Sequence, residues 1–327
     1  MTRALFFAAA LAAGVPASAQ TRVVTLNAAD EVGTPILSRD GDRIAARVGK
    51  NRVAVWSVPD SKLLQDLAFA DRPLSLIFGR DDQIVVALAD GTIEVRAIGS
   101  GIAVRRINAP VRQSVLALSG NGRLLASAGG TGQIHLWDES GRLLHSFGHA
   151  FGNVTSLAFS PDGAQLASAG LDTDVHFWDV ATGKQRASLH DRVLATFSVA
   201  FTANGKHLVI GGANGEIEVV DVQTASIARR FPSQQWAVVE VVLSPDGRSI
   251  GAAYMNIDSM ALPAPLAVWD LASGRIVRRV TPQGVAAASS GFNPTGQFLY
   301  TTTKGEELSV WVLPDSTSPS SAPAPRR

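Results

Sequence analysis

His149, Ser168 and Asp172 are the residue types of a hydrolytic triad: a base, a nucleophile and a carboxylate to orient the base. Their setting argues against that chemistry. No Gly-x-Ser-x-Gly elbow surrounds Ser168, which lies within "QLASAG", a short apolar run that reads as a strand. The histidines show no metal-ligand spacing. His135 and His176 each stand two residues before a tryptophan, so a pair on neighbouring elements can be imagined. Two imidazoles without an acidic cluster make a poor metal site, and ordinary strand positions fit them better. The Gly-rich "AGGTGQ" at Ala128–Gln133 has the composition of a phosphate loop, yet no helix comes after it to present its N-terminus, so it reads as a turn. Asn153-Val154-Thr155 is a glycosylation sequon, relevant only in a eukaryotic secretory route. The chain has no cysteine, which removes disulfides, thiolate metal sites and thiol nucleophiles. No catalytic residue, metal or cofactor is expected.

The elements that hold these residues repeat. "IHLWDESGRLL" around Trp137 returns as "VHFWDVATGKQ" around Trp178, and the same slot holds Trp56, Arg96, Val220, Trp269 and Trp311. In order the slot falls at 56, 96, 137, 178, 220, 269 and 311, in steps of 40, 41, 41, 42, 49 and 42. Turn tetrapeptides keep the same phase, from Ser38-Arg39-Asp40-Gly41 through Ser160-Pro161-Asp162-Gly163 to Asn293-Pro294-Thr295-Gly296. Asp and Asn stabilise tight turns through their side chains, and Gly accepts positive φ. Runs rich in Val, Ile, Leu and Phe lie between the turns and read as short strands.

With these markers the chain resembles the WD-repeat family, over roughly Arg22 to Leu313. "GHAFGNVTSLAFSPDGAQLASAGLDTDVHFWD", Gly148 to Asp179, is close to the repeat consensus, whereas the Trp-Asp pair is complete only at Trp137-Asp138, Trp178-Asp179 and Trp269-Asp270. The resemblance implies an all-β fold: a seven-bladed β-propeller of four-stranded antiparallel blades. It also implies that His149, Ser168, Asp172 and Trp178 form a hydrogen-bond network inside one blade, which is a structural role.

Residues 1–19 read as a secretory leader. Arg3 is basic, Ala4 to Gly14 are apolar, and Ala17-Ser18-Ala19 offers small residues for a cut before Gln20. Residues 20–313 then form the propeller, and 314–327 are a Pro/Ser-rich disordered tail. The last repeat supplies only three strands. Arg22–Asn27 is expected to provide the fourth and so to close the ring. A periplasmic or secreted location is implied by the leader, and the lack of disulfides favours a bacterial envelope. The net charge of +1 carries no basic stripe for nucleic acid, and no later segment has the length for membrane insertion.

The single break in the period points to a binding surface. The sixth repeat carries about seven extra residues around Tyr254–Leu266, a rim position where loops grow without disturbing sheets. Trp236, the one tryptophan outside the repeat slot, precedes the same repeat. Trp236, Tyr254, Met255, Ile257, Met260 and Leu262 are expected to gather on one rim as partner contacts, with Arg72, Arg112 and Arg192 as a basic side of that face. The alternative is that the insertion packs privately over Trp236. The expected function is a non-catalytic, monomeric scaffold for a protein or peptide partner. The rival is a propeller enzyme of quinone-dehydrogenase or lactonase type with a site in the central channel. Among the innermost strands "SLAFS", "VLALS", "SVAFT" and "EVVLS", Glu240 is the only charge.

Overall fold

Each turn tetrapeptide ends on a residue with positive φ: Gly41, Gly122, Gly163, Gly205, Gly247 and Gly296, with Asp82 (φ 61°) standing in where the second repeat lacks glycine. These turns cut the chain into strands short enough to form small sheets. The computed structural model describes residues 21–28, 30–148, 152–190, 194–232, 234–256, 265–280, 287–293, 295–304 and 307–312.

Among these residues there are seven four-stranded antiparallel sheets. Blade one is β2 to β5 (Val32–Leu37, Arg43–Val48, Arg52–Ser57, Leu63–Ala68), and blade two is β6 to β9 (Pro73–Phe78, Gln83–Leu88, Thr92–Ala97, Ala103–Asn108). Blade three is β10 to β13 (Val115–Leu118, Leu124–Ala128, Gln133–Asp138, Leu143–Gly148), and blade four is β14 to β17 (Val154–Phe159, Gln165–Gly170, Val175–Asp179, Gln185–Leu189). Blade five is β18 to β21 (Thr196–Phe201, His207–Gly212, Ile217–Asp221, Ser226–Phe231), and blade six is β22 to β25 (Ala237–Leu243, Ser249–Met255, Leu266–Asp270, Ile276–Val280). Blade seven takes β26 to β28 (Ala287–Phe292, Phe298–Lys304, Glu307–Val312) and its outer strand from the start of the chain, β1 (Thr21–Asn27). β1 runs antiparallel to β28 with Thr25 opposite Ser309 and Leu26 opposite Leu308.

The core is divided among the seams. Seven buried apolar clusters each join one blade to the next. Leu26, Leu308 and Val310 of blade seven meet Ile44, Ala46 and Trp56 of blade one. Ala126, Ala128, Ile134 and Leu136 of blade three meet Leu157, Leu166 and Trp178 of blade four. The slot residue on each third strand thus faces the preceding blade, which explains why large side chains recur there. Burying one such chain is worth about 1.5–3 kcal/mol. Elsewhere small residues set the spacing: a Cβ on Gly251 would overlap the Phe298 ring of the next blade. With a cluster also between blades seven and one, the stack is a closed ring, and each sheet keeps only two short edges, at its innermost and outermost strands.

Candidate interaction face

Loops entering each blade and turns from second to third strand share one end of the ring, and Arg72, Arg112 and Trp236 of the expected contact residues stand in entering loops there. Arg72 and Arg112 are exposed and meet at one turn of blade two. The Ala89 N–H donates to the Arg72 carbonyl at 2.9 Å, and Arg112 Nε donates to the Ala89 carbonyl at 3.2 Å. The two arginines are therefore brought together, but on blades two and three, with blades seven and one between them and Trp236 at blade six. Arg192, Ile257, Met260 and Leu262 lie outside the described residues.

Trp236 is half-buried against the seam of blades five and six, and Met255 is half-buried at the end of β23. Tyr254 corrects the rim reading, because it is a core residue. It is 4% exposed, and its hydroxyl accepts a hydrogen bond from Trp269 Nε1 at 3.0 Å. The reason lies in register. In blades three and four the slot tryptophan donates its indole N–H to a serine on the second strand, Trp137 to Ser127 at 2.9 Å and Trp178 to Ser168 at 2.8 Å. Leu166 opposes Trp178 as Ile250 opposes Trp269, so the serine position in blade six is Ala252, which has no acceptor. Tyr254, two residues on and facing the same side, supplies the oxygen instead. Burial pushes its phenol above the ordinary tyrosine value.

Ser168 and Asp172, two of the candidate catalytic groups, are used inside blade four. His176 Nε2 lies 3.7 Å from Asp172 Oδ2, and its ring packs 5.6 Å from that of Trp178. His149, the remaining member of the expected network, lies outside the described residues. His135 packs on Trp137 in the same way at 5.7 Å, and burial lowers its pKa, favouring the neutral ring. Among the described residues no group of three or more His, Cys, Asp or Glu is placed to hold a metal ion. No helix among them is long and apolar enough to cross a membrane.

Two features escaped the sequence reading. Polar side chains staple the innermost strands together: Ser156 Oγ accepts the Val199 N–H and Ser198 Oγ the Val241 N–H, each at 3.1 Å. Glu240 Oε2 takes the third such position, accepting from the N–H and hydroxyl of Ser290 at 2.8 Å. The expected channel charge is therefore part of a blade-to-blade seam. Secondly, Glu94 and Glu218 fill the slot that His135 and His176 occupy. Glu94 is 1% exposed and lies 2.7 Å from Arg96 and 2.5 Å from Arg106, while Glu218 lies 3.0 Å from Arg230. Arg96 in turn covers the Phe69 ring, replacing the tryptophan of other blades. The visible signal for both was a glutamate two residues before a slot that had lost its tryptophan.

Residues 104–138 and 141–179 match the family model of the WD domain, G-beta repeat. These two stretches are similar to WD repeats. The first stretch starts within the outer strand β9 and the second just before the outer strand β13, and each ends with the third strand of the next blade, β12 and β16. A WD repeat is thus offset by one strand from a blade, in the same phase that sends β1 to blade seven. No curated protein matches the chain.

Proposed function

We propose that this protein is a non-catalytic scaffold that holds a protein or peptide partner on one face of its propeller, in a bacterial envelope after removal of residues 1–19. WD-repeat propellers commonly mediate protein interactions, and two blades here match that repeat. The observation that carries the reading is where the reactive side chains stand: Ser168 serves an indole and Glu240 a neighbouring blade. The exposed Arg72 and Arg112 and the half-buried Trp236 and Met255 remain as contact groups, extended by Ile257, Met260, Leu262 and Arg192.

The test is affinity capture from envelope extract with the mature protein, comparing wild type with Trp236→Ala and with Arg72→Ala/Arg112→Ala. Loss of a wild-type partner in either variant, at unchanged melting temperature, is expected. A destabilised Trp236→Ala that keeps every partner would show that Trp236 packs privately. A melting shift on adding divalent metals would favour the enzyme class instead. Sequencing the N-terminus of the exported form, expected to begin at Gln20, tests the location.

A further inference from the structure

The opposite end of the ring, where first-to-second and third-to-fourth strand turns emerge, is sealed at five seams among the described residues by one aliphatic side chain. It stands two residues after the slot. Val58, Ile98, Val180 and Val222 are 7%, 2%, 7% and 4% exposed, and Leu271 packs into its seam likewise. The backbone pins each plug: the Val58, Ile98, Val180, Val222 and Leu271 N–H groups donate to a carbonyl of their own blade's first-to-second strand turn at 2.7–3.0 Å.

Blade three breaks this pattern. Its residue is Glu139, whose side chain is 67% exposed and lies 3.8 Å from Arg123. Its turn is also one residue shorter, since Asp138 N–H bonds to the Arg142 carbonyl where Asp179 N–H reaches Lys184. The pinning bond is absent at Glu139. What the plug would fill is a cleft of about 30 Å³ between blades two and three, floored by Val85, Val95, Leu118 and Leu125.

Three arginines stand on the rim of that cleft. Arg80, Arg105 and Arg123 line it together with Asp138 and Glu139. Asp138 is engaged by its own turn, accepting from Ser140 and Arg142. At the register of Arg105, other blades use the outer-strand side chain to hold the next blade's turn. His145 Nε2 is 3.0 Å from the Ala181 carbonyl, and Arg229 Nη1 donates to the Leu271 carbonyl at 3.0 Å. Arg105 holds nothing comparable, and among the described residues neither it nor Arg80 has a carboxylate partner. Gly122 has no Cβ, so Arg80 lies across it toward the cleft. Asp81, exposed beside Arg80, balances the rim's formal charge, so the positive character is local to the guanidinium groups of Arg80 and Arg105.

We infer that the seam between blades two and three is a docking site for an acidic segment of another protein, which inserts a valine- or isoleucine-sized side chain into the vacant plug position and sets an adjacent carboxylate against Arg80 and Arg105. The shape calls for one branched aliphatic group, and the unpaired guanidinium groups call for a carboxylate beside it. Exposed Ile102 (67%) and Val104 (51%) on the neighbouring outer edge extend the apolar contact. This site is at the other end of the ring from the face proposed above, and it stands or falls separately.

The probe is a fluorescein-labelled peptide with a central valine between glutamates, and the readout is fluorescence anisotropy. Binding to wild type is expected, weakened about tenfold by Arg105→Ala or by Arg80→Ala, as loss of a charge-assisted bond requires. Glu139→Val should restore the plug, raise the melting temperature and abolish binding. A peptide with serine for the central valine should bind at least tenfold more weakly. The inference is overturned by no binding to wild type, by unchanged binding to Glu139→Val, or by equal competition from inorganic phosphate. It is also overturned by a wild-type dimer that Glu139→Val dissolves, which would make a second copy the occupant. Arg80 is exposed, so its variant keeps the test decisive if Glu139→Val fails to fold.

Discussion

Replacing Tyr254 by Phe removes one oxygen from the seam between blades five and six and leaves the ring in place. The Trp269 indole N–H is then left without its acceptor in a site where Trp269 is 2% and Tyr254 4% exposed. A buried donor left unsatisfied costs about 1–3 kcal/mol. At about 2.1 cal/mol/K per residue, a fold of about 290 residues has an unfolding entropy near 0.6 kcal/mol/K, so the melting temperature should fall by about 2–5 °C. The second half of the experiment restores the arrangement of blades three and four. Adding Ala252→Ser to Tyr254→Phe places a hydroxyl where Ser127 and Ser168 sit, and most of the loss should be recovered. Thermal unfolding monitored by circular dichroism reads both variants. A Tyr254→Phe protein that melts like wild type but loses a captured partner would return Tyr254 to the rim and refute the core assignment.

Ser168→Ala removes the acceptor of Trp178 in the same way and should cost about 1–3 kcal/mol in a denaturant titration, with no change in any esterase background. Tyr254 and Tyr300 are both held neutral by burial, above the ordinary value of 10.0. The unfolded chain therefore loses these protons first. Stability should be full below about pH 10 and fall as pH rises beyond it, and Tyr254→Phe should flatten that fall in melts at graded alkaline pH. Deleting Thr21–Asn27 strips the outer strand from blade seven and uncovers Leu308 and Val310. A drop in melting temperature of more than about 5 °C is expected, since burial of Leu26 alone contributes about 1.5–3 kcal/mol.

The architecture was legible because two signals shared a phase. The slot at 56, 96, 137, 178, 220, 269 and 311 falls on β4, β8, β12, β16, β20, β24 and β28, and the turn tetrapeptides fall between first and second strands. Degeneracy at Arg96 and Val220 did not hide it, because a seam needs filling by some large or aliphatic group and not by tryptophan as such. The strand offset was legible as well, in the missing fourth strand of the last repeat. The candidate face was less so. Tyr254 looked like a rim aromatic because an insertion begins beside it in the chain, while the side chain it faces is set across the sheet. Only the cross-strand register reveals that Ala252 leaves Trp269 in need of an acceptor. Arg72 and Arg112 were aligned correctly as loop residues, but alignment in a repeat gives each residue its place within a blade and not its distance from Trp236 around the ring. Glu139 stood in view at a position otherwise aliphatic, and its meaning appears only when the cleft it vacates is seen between Val85 and Leu125.

Closure of the ring by β1 is tested most directly with Asn27→Cys/Glu307→Cys, since these residues oppose one another across β1 and β28 and the chain has no other cysteine. Mild oxidation should give an intramolecular disulfide in nearly all molecules, read as a mobility shift on non-reducing gels, together with a higher melting temperature. A double variant that stays reduced, or that links only between molecules, would mean that the two ends of the chain do not share a blade.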